Sequence, residues 1–243
     1  MINVDQIKHD RATYARLKDF AFVFINGIRT PLTDRAYSDP QAAWNLRAEA
    51  WCEERGIHNH TYRYYTPAVT RFLHQAQFAE IAKEKIDDCY QPRTVLVGHS
   101  NGADICIRAA KLCKAKIDQL VLIAGAADER FDANGLNDLL LEQKVRRVSV
   151  WWSASDDTLL GARTWTSWLR PFGLGYGWLG LVGPKRVSPL VKHRVLTRVY
   201  TGFRHSTYFT EQQFPLTMRH IMTDAAESVE GRESRVESQR RIA

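Results

Sequence analysis

Short apolar runs alternate along this chain with longer stretches in which apolar residues recur every three or four positions. Ala21-Phe22-Val23-Phe24-Ile25 is the first run, unbroken in the way a strand buried on both faces is. Thr94-Val95-Leu96-Val97, Leu120-Val121-Leu122-Ile123-Ala124 and Val148-Ser149-Val150-Trp151-Trp152 repeat the pattern. His60 to Tyr65 is more polar and reads as a strand towards the sheet edge, and Val195 to Tyr200 supplies a sixth. Between them lie helical stretches. Asp39 and Pro40 open one that Gly56 closes, because Asp caps, Pro suits the first turn and Gly suits the exit. Others run from Thr70 to about Asp88, from Gly102 to about Lys114 and from Asn134 to Gln143, with a C-terminal helix from near Ser206. Ile7, Tyr14 and Leu17 give the opening residues a helical spacing. Strands alternating with helices predict an α/β fold with a predominantly parallel sheet of about six strands, flanked by helices.

One stretch breaks the alternation. Leu159 to Pro189 holds Trp165, Trp168, Trp178 and six glycines, and reads as an insertion in a single domain spanning residues 1–223. Residues 224–243 read as a polar tail. Gly175-Tyr176-Gly177-Trp178-Leu179-Gly180 has dinucleotide-motif spacing, but it follows no clear strand and no acid lies about 20 residues on, so it is read as a turn. No apolar run approaches the ~18 residues of a spanning helix, and the first ten residues lack the apolar block of a signal peptide. A cytoplasmic protein is the expectation. Cys52, Cys89, Cys106 and Cys113 form no CxxC pair, no His/Cys cluster suits a metal, and buried thiols are expected.

Composition matters mainly through charge. The 243 residues are 44% hydrophobic, enough for a sizeable core, and carry a formal net charge of +7. The charge is localised: Thr158 to Thr210 contains no Asp or Glu but holds Arg163, Arg170, Lys185, Arg186, Lys192, Arg194, Arg198 and Arg204. No nucleic-acid motif accompanies it, so nucleic acid is not expected as a partner. The tail mixes acids with arginines and is no basic arm.

The chemistry gathers at three strand ends. Gly98-His99-Ser100-Asn101-Gly102 is G-x-S-x-G between a strand and a helix, the setting in which a sharp turn exposes a serine Oγ at a helix N-terminus. A serine nucleophile needs a base, and the base an orienting acid. His205 follows the last strand and so lies on the same sheet edge as Ser100, whereas His193 precedes that strand. Asp156 and Asp157 follow the fifth strand; either can be the acid, and Ser153-Ala154-Ser155-Asp156 with Leu159 behind it favours Asp156. The oxyanion of acyl transfer needs two donors. The N–H of Asn101 is one, and the Asn26-Gly27-Ile28 turn after the first strand suggests the Ile28 N–H as the other.

On these residues the chain resembles the α/β-hydrolases of the serine esterase/lipase type, from about Ala21 to the C-terminal helix. The resemblance implies an α/β-hydrolase fold with Ser100 as nucleophile, His205 as base and Asp156 as acid. It implies hydrolysis of carboxylic esters, including lipid or acyl esters, through an acyl-enzyme without metal or organic cofactor. Thioester or amide cleavage on the same triad, and a non-catalytic binding protein on the same fold, are the alternatives. Two departures stand out. The family commonly has His-Gly where this chain has Asn26-Gly27, and about twenty residues before the first strand imply a reduced sheet without the two opening strands. Insertions after the acid-bearing strand often serve this family as lids. The basic, aromatic insertion here, with Trp165, Trp168 and Leu169 spaced for one helical face, is expected to meet an acyl chain and anionic lipid.

Overall fold

The computed structural model describes residues 12–27, 44–62, 64, 71–88, 91–166 and 176–240. Six strands, β1 (Phe20–Ile25), β2 (His58–Tyr62), β3 (Arg93–His99), β4 (Ile117–Ile123), β5 (Val145–Trp152) and β6 (Val195–Val199), form one sheet. Their order is β2-β1-β3-β4-β5-β6, and every pairing is parallel. The two half-solvated strands, β2 and β6, are the two edges, where only one side is paired. The connecting helices are α1 (Trp44–Glu53), α2 (Arg71–Asp87), α3 (Asn101–Leu112), α4 (Phe131–Asn134), α5 (Leu136–Leu141), α6 (Asp157–Thr166), α7 (Leu179–Val182) and α8 (Phe214–Arg240).

Period-two alternation sends the central strands' side chains to two cores. Val23, Ile25, Leu96, Leu120, Leu122, Val148 and Val150 pack with Ile105, Cys106, Ala109 and Leu140 on one face. Phe20, Phe22, Phe24, Val97, Ile123 and Trp151 pack with Trp44, Cys52, Met218 and Met222 on the other. Cys52, Cys106 and Cys113 are buried and unbridged, and burial pushes the Cys52 thiol up to about 12. Cys89, Ile7, Asp39 and Pro40 lie outside the described residues.

Two expectations about elements change. The helix read over Asn134 to Gln143 is two short helices, α4 and α5, because Gly135 between them is left-handed (φ +80°). The C-terminal helix starts at Phe214 rather than near Ser206; a 3₁₀ turn at Thr207–Phe209 comes first, and Pro215 falls in the first turn, where its missing N–H costs little. Helix α8 then crosses residue 224 unbroken, with Asp224, Ala225 and Ala226 buried.

Residues 177–180, within the stretch that breaks the alternation, are bound into the body of the fold. Gly177 N–H donates to Ala126 O (3.0 Å), Gly180 N–H to Gly125 O (2.8 Å) and Ser153 N–H to Gly180 O (3.0 Å). A Cβ on Gly177 or Gly180 would fall on the backbone of residues 124–128, which accounts for glycines there without any nucleotide. Trp168 and Leu169 lie outside the described residues. Acids from elsewhere reach the arginines of the acid-free stretch: Asp132 lies 3.2 Å from Arg186, and Asp157 lies 3.8 Å from Arg204. No helix among the described residues is long and apolar enough to cross a membrane.

Arg198 of β6 forks onto Asp224 of α8, Nε on Oδ2 at 3.1 Å and Nη2 on Oδ1. The Asp224 side chain is 1% exposed, so this pair fastens the edge strand to the last helix. Arg198→Gln is expected to lower stability by about 3 kcal/mol, because a buried carboxylate loses its counter-charge. Urea unfolding checks this, and adding Asp224→Leu should restore most of the loss.

Candidate active site

Ser100 stands between β3 and α3 with φ 55° and ψ −122°, a conformation that side-chain-bearing residues avoid and that costs about 1–3 kcal/mol. The turn is tight because α3 crosses hard against β1. A Cβ on Gly102 would sit on Ile25 O and 2.5 Å from Asn26 O; one on Gly98 would sit 2.6 Å from Gly102 O. Hydrogen bonds hold the strained residue: Ser100 N–H donates to Ile123 O (3.0 Å), and Ser100 O accepts from Ala103 (3.1 Å) and Ala126 (2.9 Å).

Asp156 follows β5 and ends in a 1% exposed carboxylate. Its Oδ1 accepts the Leu159 N–H at 2.9 Å, capping α6, and its Oδ2 accepts His205 Nδ1–H at 2.8 Å. Asp157 points away, its side chain 60% exposed. The structure therefore joins His205 to Asp156 and not to Asp157. Ser100 follows β3 and His205 follows β6, so the two reach the same edge of the sheet. The loop carrying His205 is anchored by the residues on its C-terminal side. Phe209 stacks on Trp44 (4.5 Å between centroids), Arg47 Nη1 donates to Phe209 O (2.8 Å), and Thr217 Oγ1 donates to Tyr208 O (2.8 Å).

The turn after β1 lies against Ser100: a Cβ on Gly27 would be 3.0 Å from Ser100 Cβ and 3.5 Å from its Oγ. Ile28, the expected second oxyanion donor, lies outside the described residues. Asn101 is the first residue of α3, and its N–H therefore belongs to the helix end behind Ser100.

Three residues outside the expected triad and oxyanion donors organise this edge. Tyr64 N–H donates to Asn26 Oδ1 (3.3 Å), and Tyr64 Oη accepts Asn101 Nδ2–H (2.7 Å), so Tyr64 ties the β1 exit to the elbow. Gln75 Nε2 donates to Asn101 Oδ1 (3.1 Å) and to Asp104 Oδ2 (2.6 Å). His99 Nε2–H donates to the carbonyl of His205 (3.1 Å), and the two rings lie 4.7 Å apart. His99 is legible as a member of the pentapeptide. Tyr64 and Gln75 carry no local signal, since an aromatic after a strand and a glutamine in a helix are ordinary there.

No family model matches the chain, and no curated protein matches it as a relative. Solved structures do match. The chain is similar to an uncharacterised protein from Bacillus cereus ATCC 10987 (TM-score 0.51, 12% identity, 83% of this chain and 58% of that one). It is also similar to the monoacylglycerol lipase of Paleococcus ferrophilus (TM-score 0.50, 11% identity, 86% of this chain and 94% of that one). The likeness is one of fold: this chain has the α/β-hydrolase fold, in a six-stranded, fully parallel form.

His99 is held well below its ordinary pKa of 6.5, first by burial and then by the neighbouring His205. Burial, with Arg198 nearby, also lowers His220. The unfolded chain therefore binds protons that the folded chain refuses. Stability is full above about pH 6.5 and falls as pH drops below it. Urea unfolding between about pH 7.5 and 5.5 should show this decline. His99→Gln, which keeps an N–H donor and removes the titration, should make the decline shallower.

Proposed function

We propose that this protein is a serine hydrolase that cleaves carboxylic esters through an acyl-enzyme. The observation that carries the reading is a strained serine at the C-terminal edge of a parallel sheet, the same edge to which a histidine hydrogen-bonded to a buried aspartate is brought. Strain of this kind persists only where the surroundings enforce it, and it concentrates at sites of chemistry.

In this mechanism Ser100 Oγ attacks the ester carbonyl while His205 Nε2 takes its proton. Asp156 fixes the ring by accepting Nδ1–H and stabilises the imidazolium that forms. The Asn101 N–H, at the start of α3, and the Ile28 N–H stabilise the oxyanion. His205 protonates the departing alcohol, then deprotonates the water that attacks the acyl-Ser100 ester. The acid leaves and Ser100 regains its proton. The resemblance in fold to a monoacylglycerol lipase makes esters of graded acyl length the first substrates to try.

A fluorophosphonate probe should label the folded protein at Ser100, mapped by mass spectrometry, and Ser100→Ala should abolish labelling. A folded protein that stays unlabelled would overturn the proposal in favour of a binding protein on the same fold. Turnover of thioesters or amides in preference to esters would instead revise the substrate class alone.

Asp156→Asn and Asp157→Asn separate the two acids. The first should lower kcat on a p-nitrophenyl ester by about 10⁴-fold, because the ring loses its orienting acceptor. The second should change kcat less than about twofold, since an exposed carboxylate 3.8 Å from Arg204 contributes little.

A further inference from the structure

At the opposite edge of the sheet, where β3, β4 and β5 begin, lies a groove of about 430 Å³. It is lined by Arg93, Lys116, Asp118, Gln143, Arg146 and Arg194. That volume is within the roughly 300–1,000 Å³ of small-molecule sites, but such sites are usually apolar. This one gathers four cations around one carboxylate, three net positive charges. β4 alone is seven residues long, so the groove is about 20 Å from the Ser100 edge.

Among the described residues that line the groove, cations outnumber acids. Asp118 lies 3.8 Å from Arg146, at the outer limit of an ion pair. Among the described residues neither Arg93 nor Lys116 has a carboxylate within ion-pair distance; Arg93 rests its guanidinium over the Phe20 ring, 5.2 Å from the centroid. Arg194 is held on three uncharged acceptors, donating from Nε to Arg146 O (2.6 Å), from Nη2 to Val145 O (3.0 Å) and from Nη1 to Leu140 O. Burial and the nearby Arg146 and Arg147 push its pKa down, as expected of a cation with like charges around it. These residues come from the starts of three strands and the turns beside them, separated along the chain, so folding drives like charges together. A bound anion would relieve that repulsion. Arg194, engaged on these carbonyls, contributes a fixed positive charge, while the Arg93 guanidinium and the Lys116 ammonium supply donors that match phosphate oxygens.

We propose that this groove binds a multiply charged anion of the phosphate class, either free in solution or as the phosphorylated head of a lipid. The site is independent of the chemistry proposed at Ser100.

Two binding assays at low salt, about 50 mM, distinguish the sources. Calorimetry with sodium tripolyphosphate tests the free anion. Co-sedimentation with phosphatidic acid vesicles, against phosphatidylcholine vesicles, tests the headgroup. Arg93→Gln/Lys116→Gln removes two groove charges that form no ion pair among the described residues, and a thermal melt confirms that the variant remains folded. Arg108→Gln/Arg186→Gln removes the same charge elsewhere. Saturable one-to-one binding in either assay, weakened about tenfold or more by the first pair and less than about twofold by the second, supports the proposal and names the source. No saturable binding in either assay, or equal weakening by both pairs, overturns it.

Discussion

The close crossing of α3 against β1 is the constraint on which the rest of this structure depends. Gly102 lets the helix backbone lie on the carbonyls of Ile25 and Asn26, and Gly98 lets the chain double back on itself. The residue between them is then forced into φ 55°. Its own amide and carbonyl bind the ends of β4 and α3, so three strand exits converge on one serine. Gly27 abuts the same residue. Local strain of a few kcal/mol is thus offset by hydrogen bonds that a relaxed turn could not make.

A second set of contacts couples the loop after β6 to that turn. Trp44, Phe24, His99 and Phe209 form an aromatic cluster under the sheet edge, with His99 edge-on to both Trp44 and Phe209. A neutral imidazole suits this place: it packs as an aromatic ring, yet still donates to the His205 carbonyl. The loop bearing His205 is therefore set by packing behind it, while Asp156 sets the ring in front.

Charge obeys a similar logic. Along the chain, residues 158–210 look like a basic block. In space Arg186, Arg198 and Arg204 each meet an acid from another element, and Arg194 turns inward onto main-chain carbonyls. Among the described residues, a net positive cluster gathers instead at the far edge of the sheet. It is assembled from Arg93, Lys116, Arg146 and Arg194, only the last of which belongs to the block.

Much of this fold is legible in the sequence because strand and helix periodicities act over a few residues. Apolar runs such as Phe22-Val23-Phe24 mark central strands, and the glycines around Ser100 mark a turn that only glycines allow. Asp156 and His205 are legible as strand-end residues, and they meet although 49 positions apart. Where local signals compete, the pattern misleads: Gly135 sits inside an otherwise helical stretch, and Pro215 rather than Ser206 marks the true start of the last helix. The sequence by itself determined the α/β class, the parallel sheet and the residues at its C-terminal edge, since each is written in local spacing. Only the tertiary structure decided that Asp156 rather than its neighbour faces His205, that Tyr64 and Gln75 brace the elbow, and that four distant cations share one groove. Those outcomes depend on which surfaces pack together, and packing joins residues that carry no mark of one another along the chain.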